Sequence, residues 1–126
     1  MKYKGKTISV RIVGEADEAY QELNKIVGKE VRKDIKSSES QTLLRGIQRN
    51  IELLKQNVHY GFNIPKKQIP KKYIDLYGVN NLWKINLPNH WRLIYTIRSD
   101  EVEIINLILD IYDHPTYSKV FGYKKK

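Results

Sequence analysis

A histidine and a tyrosine occur together in the motif Asp113-His114-Pro115-Thr116-Tyr117, directly after a long apolar run. Histidine is the side chain whose unperturbed pKa, about 6.5, suits proton transfer near neutral pH. If a helical turn begins at Pro115, the side chains of His114 and Tyr117 converge. The motif is therefore a candidate site of proton transfer, and a histidine that only caps a helix or lies on the surface is the alternative.

Arg92 lies in residues 91–98, where the residue types alternate as in a strand. In such a strand one face carries Trp91, Leu93, Tyr95 and Ile97, and the other carries Arg92, Ile94, Thr96 and Arg98. An arginine held on a rigid strand can bind a phosphate through two parallel hydrogen bonds, which lysine cannot do. Arg92 is therefore a candidate phosphate ligand, unless it pairs with a carboxylate on a neighbouring strand.

Lysines and aromatic rings are interspersed in residues 59–78. The lysines are Lys66, Lys67, Lys71 and Lys72, and the rings are Tyr60, Phe62, Tyr73 and Tyr77. Cations that neutralise phosphate, next to rings on which bases can stack, are typical of proteins that bind single-stranded RNA. Rings in a long connection can also serve to anchor it to the core.

The charge of the whole chain points to the same partner. The chain has 23 Lys and Arg against 14 Asp and Glu, which gives a net charge of +9 over 126 residues. Such a charge attracts polyanions at long range. Nucleic acid is the expected partner, and a lysine excess that only keeps the protein in solution is the alternative.

Several classes of function are excluded by residue types that the sequence lacks. It has no cysteine, so disulfides, thiolate metal sites and cysteine nucleophiles are impossible. His59, His90 and His114 do not have the spacing of zinc ligands, and no glycine-rich loop could hold a nucleotide phosphate. We therefore expect neither a metal nor a cofactor. With no apolar run long enough to cross a membrane and no secretion signal, the expected location is the cytoplasm.

The elements that must position these residues are predicted to follow the order β-α-α-β-β-β in one domain, residues 1–126. Residues 7–13 alternate like a half-buried strand, and an amphipathic helix follows from Ala16. A second helix is predicted to begin after Ser38, with Gln41 completing a capping box. Residues 59–78 are interpreted as a long connection with one helical turn near residues 73–77.

Three strands are predicted in residues 82–112, separated by connectors short enough for hairpins. The third, residues 102–112, is almost continuously apolar, so we expect it to be central and covered on both faces. A short terminal element is predicted for residues 116–123, and a frayed end for residues 124–126. The predicted fold class is thus α+β, with a helical hairpin packed on an antiparallel sheet.

Three segments of this sequence resemble the RelE/ParE superfamily of bacterial and archaeal toxins. They are Leu82-Trp83-Lys84-Ile85, Trp91-Arg92-Leu93-Ile94-Tyr95 and Ile111-Tyr112-Asp113-His114-Pro115-Thr116-Tyr117. The predicted order of elements also fits, over nearly the whole chain. The resemblance implies a ribosome-dependent messenger-RNA endonuclease that uses the ribose 2′-hydroxyl to attack the adjacent phosphate. It also implies an antitoxin protein as partner.

The resemblance assigns a role to individual residues. Arg92 would stabilise the phosphorane, His114 would act as base or acid, and Tyr117 would assist or stack on a base. The further RNA-binding residues are expected to be Lys66, Lys67, Lys71, Lys72, Lys84, Arg98 and Lys119. An acidic residue that serves some members has no clear match here; Asp75 is nearest, and the identity of the general base stays open.

Two other functions share the predicted fold. A ParE-like inhibitor of DNA gyrase needs no group that transfers protons, so His114 favours RNA cleavage. A module of the same fold that binds RNA without cutting it would depend on the lysines and not on His114. Fold class by itself does not separate these three possibilities.

Overall fold

The protein is built on a mixed sheet with helices on both faces. A computed structural model describes residues 2–3 and 5–122, with side chains from residue 5 onward. The strands are β1 (Lys2–Tyr3), β2 (Lys6–Ile12), β3 (Phe62–Asn63), β4 (Trp83–Asn86), β5 (Arg92–Ser99) and β6 (Glu103–Tyr112). The helices are α1 (Gly14–Arg32), α2 (Glu39–Gln56), α3 (Lys71–Tyr77) and α4 (His114–Phe121), with 3₁₀ turns at Lys66–Gln68 and Pro88–His90.

The predicted α+β class and the antiparallel pairing of the last three long strands are confirmed. β6 lies between β2 and β5 in a sheet of order β1-β2-β6-β5-β4-β3, so its predicted central position is also confirmed. Apolar clusters contact it on both faces, through Ile108 on one and Leu109 on the other. The predicted terminal element is α4, and residues 123–126 lie outside the described residues.

The prediction of an antiparallel sheet is wrong for the first long strand. β2 runs parallel to β6, in a register that begins at Thr7 opposite Glu103 and ends at Ile12 opposite Ile108. No hairpin joins these strands, so no local signal sets their relative direction. The two-residue strands β1 and β3, which are too short to show a periodicity, were also not predicted.

The helical hairpin of α1 and α2 packs on one face of the sheet, as predicted. Ser38 is the N-cap of α2, and its hydroxyl accepts a hydrogen bond from the Gln41 backbone at 3.1 Å. The Gln41 side chain does not close the capping box. It donates to the Ile35 carbonyl at 2.9 Å and to Glu30 at 3.2 Å, and so ties the start of α2 to the end of α1.

α3 and α4 cover part of the opposite face, on which Arg92 lies. They complete a second apolar cluster made of Ile64, Tyr73, Val79, Leu82, Ile94, Leu109, Tyr112 and Tyr117. This layer positions α4, and with it His114, over the ends of β5 and β6. None of the described helices combines the length and the apolar character needed to cross a membrane.

Tyr95 joins the sheet to the connection that follows α2. Its buried hydroxyl donates to the Val58 carbonyl at 2.9 Å and accepts from the Gly61 amide at 3.1 Å. Burial raises the pKa of Tyr95 to about 12, although the Gly61 hydrogen bond acts in the opposite direction. Tyr95 therefore stays neutral in the folded protein at a pH at which an unfolded chain would ionise it.

Raising the pH above about 10 is expected to destabilise the fold, because unfolded tyrosine loses its proton there and folded Tyr95 does not. The folded state then binds more protons than the unfolded state, so the free energy of unfolding falls as the pH rises. For Tyr95 alone we expect a loss of about 1.4 kcal/mol by about pH 11. Urea unfolding at a series of pH values from about 8 to 11 measures this loss of stability.

Tyr95→Phe should reduce the dependence of stability on pH, and Tyr60→Phe, which changes an exposed tyrosine, should not. A wild-type stability that is unchanged at pH 11 would contradict the prediction.

Candidate functional site

Arg92 and Lys84 lie side by side on the face of the sheet opposite α1 and α2. In the strand register Arg92 stands between Asn86 and Tyr112, and Lys84 stands between Phe62 and Ile94. Residues that are directly opposite in a sheet project to the same face. The sheet therefore presents both cations to the first turns of α4.

The ring of Tyr117 brings the two cations together. The Arg92 guanidinium carbon lies 5.5 Å from the ring centroid and the Lys84 ammonium 5.4 Å from it, both within the range of cation–π attraction. Phe121 stacks on Tyr117 with 4.6 Å between ring centroids, and only 2% of Tyr117 is exposed. A ring covered in this way holds cations in place, and it is not open to stacking by an RNA base.

No carboxylate neutralises these two cations within the described part of the chain. The ion pairs found there involve other lysines and arginines. The neighbours of Arg92 across the strands, Asn86 and Tyr112, are uncharged, so the alternative of a cross-strand carboxylate is not seen. One Arg92 terminal nitrogen donates to the Trp91 carbonyl at 3.1 Å, whereas its buried Nε has no hydrogen-bond partner. The terminal nitrogens of the guanidinium therefore retain donors for an anion, whereas the buried Nε is not accessible to one.

His114 is the first residue of α4 and is exposed. It precedes Tyr117 by one turn of the same helix. Its ring centroid is 6.1 Å from that of His90, in the turn between β4 and β5. We call Lys84, His90, Arg92, His114 and Tyr117 the cation–histidine cluster.

Asp113 fixes the start of α4 next to His114. Its carboxylate is the N-cap and accepts the Thr116 amide at 2.9 Å. Hydrogen bonds from the side chain and the backbone of Thr116 lower the pKa of Asp113. Asp113 is therefore a stable negative charge adjacent to His114.

His90 was not predicted as a site residue, and the feature that distinguishes it in the structure is its backbone conformation. Asn89 and His90 both have left-handed backbone angles, with φ of 59° and 63°. The Trp91 amide donates to the Pro88 carbonyl at 3.3 Å, which makes this a hairpin turn of the type that usually carries glycine at its second central position. The hairpin was predictable from the short connector, but the conformation of His90 was not.

The four lysines of residues 59–78 that were predicted to bind RNA differ in their surroundings. Lys66 and Lys67 are exposed on a 3₁₀ turn, and Lys71 is exposed but forms an ion pair with Asp75 at 2.9 Å. Asp75, the nearest match for an acidic catalytic residue, is thus engaged by Lys71.

Lys72, on α3, joins a polar network whose other members, Tyr73, Asp110 and Tyr112, are buried. It donates to the Tyr112 hydroxyl at 2.6 Å and lies 3.7 Å from the Asp110 carboxylate, which also accepts the Tyr73 hydroxyl at 2.8 Å. Burial by itself lowers the pKa of Lys72, but the hydrogen bond to Tyr112 and the charge of Asp110 together raise it. These contacts give Lys72 a structural role in the second core.

Arg98 and Lys119 lie apart from the cation–histidine cluster. Arg98 is six residues beyond Arg92 on β5, which corresponds to about 20 Å along a strand. Its guanidinium donates to the Tyr77 carbonyl and lines an open cleft beside Gly78. Lys119 is exposed two residues after buried Tyr117, so its side chain leaves α4 on another side.

The aromatic residues of the long connection also separate into two groups. Tyr73 is fully buried and Tyr77 is half-buried, so both anchor the connection to the core. Phe62 is 60% exposed and stands directly opposite Lys84 in the sheet, at the edge of the cation–histidine cluster. Phe62 is therefore the ring of this connection that is placed to contact a ligand of the cluster.

Comparisons of this chain with protein-family models, with curated proteins and with solved structures gave no match. Among the residues that the structure describes, no group of three His, Cys, Asp or Glu side chains is arranged to hold a metal ion. The function must therefore be inferred from the geometry and charge of the cation–histidine cluster.

Proposed function

We propose that this protein is a RelE-like endoribonuclease that cuts messenger RNA on the ribosome. The observation that carries the proposal is the cation–histidine cluster. Two cations lie on one ring without a carboxylate partner in the described chain, and an exposed histidine stands one turn earlier on the helix that carries the ring. In the reaction, the ribose 2′-oxygen attacks the adjacent phosphorus and the 5′-oxygen departs. The products are a 2′,3′-cyclic phosphate and a 5′-hydroxyl.

Arg92 and Lys84 supply what the transition state needs most, which is positive charge around a phosphorane. A guanidinium can donate two parallel hydrogen bonds to phosphate oxygens, and an ammonium adds a compact charge. Because Tyr117 already holds both groups, little reorganisation is required when negative charge develops. A bound phosphate would also compensate for the mutual repulsion of the two cations.

His114 supports the proton transfer that the 2′-hydroxyl requires. Its imidazole is exposed at the start of α4, one turn from the ring that holds the cations. Proton transfer by a positioned histidine typically accelerates a reaction by about 10²–10⁴-fold. We assign to Tyr117 the positioning of Arg92 and Lys84, in place of base stacking.

The net charge of +9 supports a polyanionic partner, and the proposed partners are messenger RNA on the ribosome and an antitoxin protein. The proposed location is the cytoplasm, where translation takes place. Exposed Lys66 and Lys67 would add contacts to RNA phosphates outside the cation–histidine cluster.

The test of this function is to add purified protein to a translating system and to map the ends of the message. We expect cleavage within translated codons, with 2′,3′-cyclic phosphate and 5′-hydroxyl ends. A message that stays intact would contradict the proposal. An effect on DNA supercoiling together with an intact message would favour a gyrase inhibitor instead, and binding without cleavage would favour an RNA-binding module.

Phe62→Ala is expected to weaken RNA binding, because the exposed ring beside Lys84 offers a surface on which a base can stack. One stacked base contributes about 1–3 kcal/mol, so we expect the dissociation constant to rise by about 5- to 150-fold. Fluorescence anisotropy with a short single-stranded RNA at fixed salt measures it. Phe62→Tyr should bind like the wild type, and Tyr60→Ala removes another exposed ring as a matched control. Equal affinities of Phe62→Ala and wild type would show that no base stacks there.

A further inference from the structure

His90 occupies a backbone conformation that costs stability for a residue with a side chain. Its φ is 63°, in the left-handed region where the β-carbon is crowded and glycine is favoured. Asn89, immediately before it, is also left-handed, with φ of 59°. Strained residues tend to occur at functional sites, where the surrounding structure holds them. The position in which the turn holds His90 therefore bears on its function.

The turn that carries His90 is supported by α2. A β-carbon built on Gly46 of α2 would lie 2.6 Å from Pro88, so this turn and the helix are in close contact. A backbone hydrogen bond from the Leu87 amide to the Trp91 carbonyl, at 2.8 Å, closes the other side of the turn. The turn therefore holds His90 in a fixed position. A side chain that acts on a bound ligand needs such support.

His90 is directed toward the candidate active site. Its ring centroid lies 6.1 Å from that of His114, and Arg92 follows two residues later on β5. Cleavage of RNA by its own 2′-hydroxyl needs two proton transfers, one from the attacking oxygen and one to the departing oxygen. Arg92 cannot supply the second, since a guanidinium keeps its proton at any ordinary pH.

We propose that His90 is a second catalytic residue, which donates a proton to the departing 5′-oxygen while His114 accepts the proton of the 2′-hydroxyl. The inference rests on the proposed function. The bond between the 2′-oxygen and phosphorus forms, and the bond between phosphorus and the 5′-oxygen breaks. His114 begins neutral and becomes protonated, whereas His90 begins protonated and becomes neutral. Exchange with water restores both.

The proposed function already uses His114 to take up the proton of the 2′-hydroxyl. The donation to the departing 5′-oxygen is therefore assigned to His90, whose ring lies across from His114 with 6.1 Å between the centroids.

His90→Gly and His90→Asn test the proposal, because both residues tolerate the left-handed conformation and neither can transfer a proton. Message cleavage is expected to fall by about 10²–10⁴-fold in both. The melting temperature of His90→Gly should rise by about 2–5 °C, since glycine relieves the strain. A purely structural role predicts the reverse, with stability and activity lost together. His59→Asn, which removes an exposed imidazole that contacts Trp83, is the matched control and should cleave like the wild type.

A message with a single sulfur in place of the departing 5′-oxygen isolates the proton donation. A thiolate leaves without a proton, so His90→Asn should cleave this message at close to the wild-type rate. His114→Ala should still fail on it, because the attacking hydroxyl must be deprotonated. An equal loss by His90→Asn on both messages, or no loss on either, would overturn the proposal. If the wild type cleaves neither message, the proposed function itself fails.

Discussion

Replacing His114 with alanine is expected to slow message cleavage by about 10²–10⁴-fold, the usual contribution of a positioned proton-transfer group. Because the side chain is exposed, the free energy of unfolding should change by no more than about 0.5 kcal/mol. The affinity for ribosomes should also stay close to that of the wild type. A single-turnover cleavage rate, measured beside urea unfolding, separates the chemical effect from any effect on the fold.

The control for His114 is His59→Ala, which removes an exposed imidazole that packs near Trp83 on the other face of the sheet. It should cleave at the wild-type rate. If His114→Ala also cleaves at the wild-type rate while the message is still cut, the base is another residue. If the wild type and both variants bind the ribosome and none of them cuts the message, the protein is a binding module.

Replacing Arg92 with methionine is expected to lower cleavage by about 10²–10³-fold, the cost of losing one group that stabilises the transition-state charge. Methionine keeps an apolar chain over the Tyr117 ring but removes the charge and the buried Nε donor without a partner. The free energy of unfolding should therefore stay the same or rise by about 1 kcal/mol. A variant that loses cleavage activity but keeps its stability would show that Arg92 serves the reaction and not the fold.

Two further variants test whether the effect of Arg92→Met is specific to the position and to the guanidinium group. Arg92→Lys keeps a positive charge but cannot form two parallel hydrogen bonds, so an intermediate rate is expected. Arg98→Met removes an arginine from the far end of the same strand and should reduce cleavage far less than Arg92→Met. Equal losses at positions 92 and 98 would mean that the arginines act only through the overall charge.

Local patterns in the sequence were sufficient for most of the elements. Alternation over residues 91–98 correctly placed Arg92 opposite Leu93 and Tyr95, because side chains in a strand project to alternate faces. The N-cap at Ser38 and the helical turn near Tyr73 were predictable for a similar reason, since each depends on residues a few positions apart. The polar contacts of Gln41 were not, because its partners lie up to 11 residues away.

For the candidate site, the residue types and spacing in the sequence selected Arg92, His114 and Tyr117. The structure places Arg92 over the Tyr117 ring and His114 one turn before Tyr117 on α4. Their surroundings depend on contacts distant in the chain. Tyr117 is buried because it packs on Phe121 and lies under two cations. Lys72 is held by a hydrogen bond to Tyr112, which is 40 residues away in the chain. His90 carries no pattern that distinguishes it from an ordinary turn residue.

The sequence by itself therefore determined the helices, the long strands, the two faces of β5 and the net charge of +9. Periodicity, caps and charge are properties of neighbouring residues, so they can be recognised before the chain is folded. Only the tertiary structure decided that β2 runs parallel to β6, that Lys72 is tied to the core and that His90 faces His114. These features follow from the packing of segments far apart in the chain, and no local pattern encodes that packing.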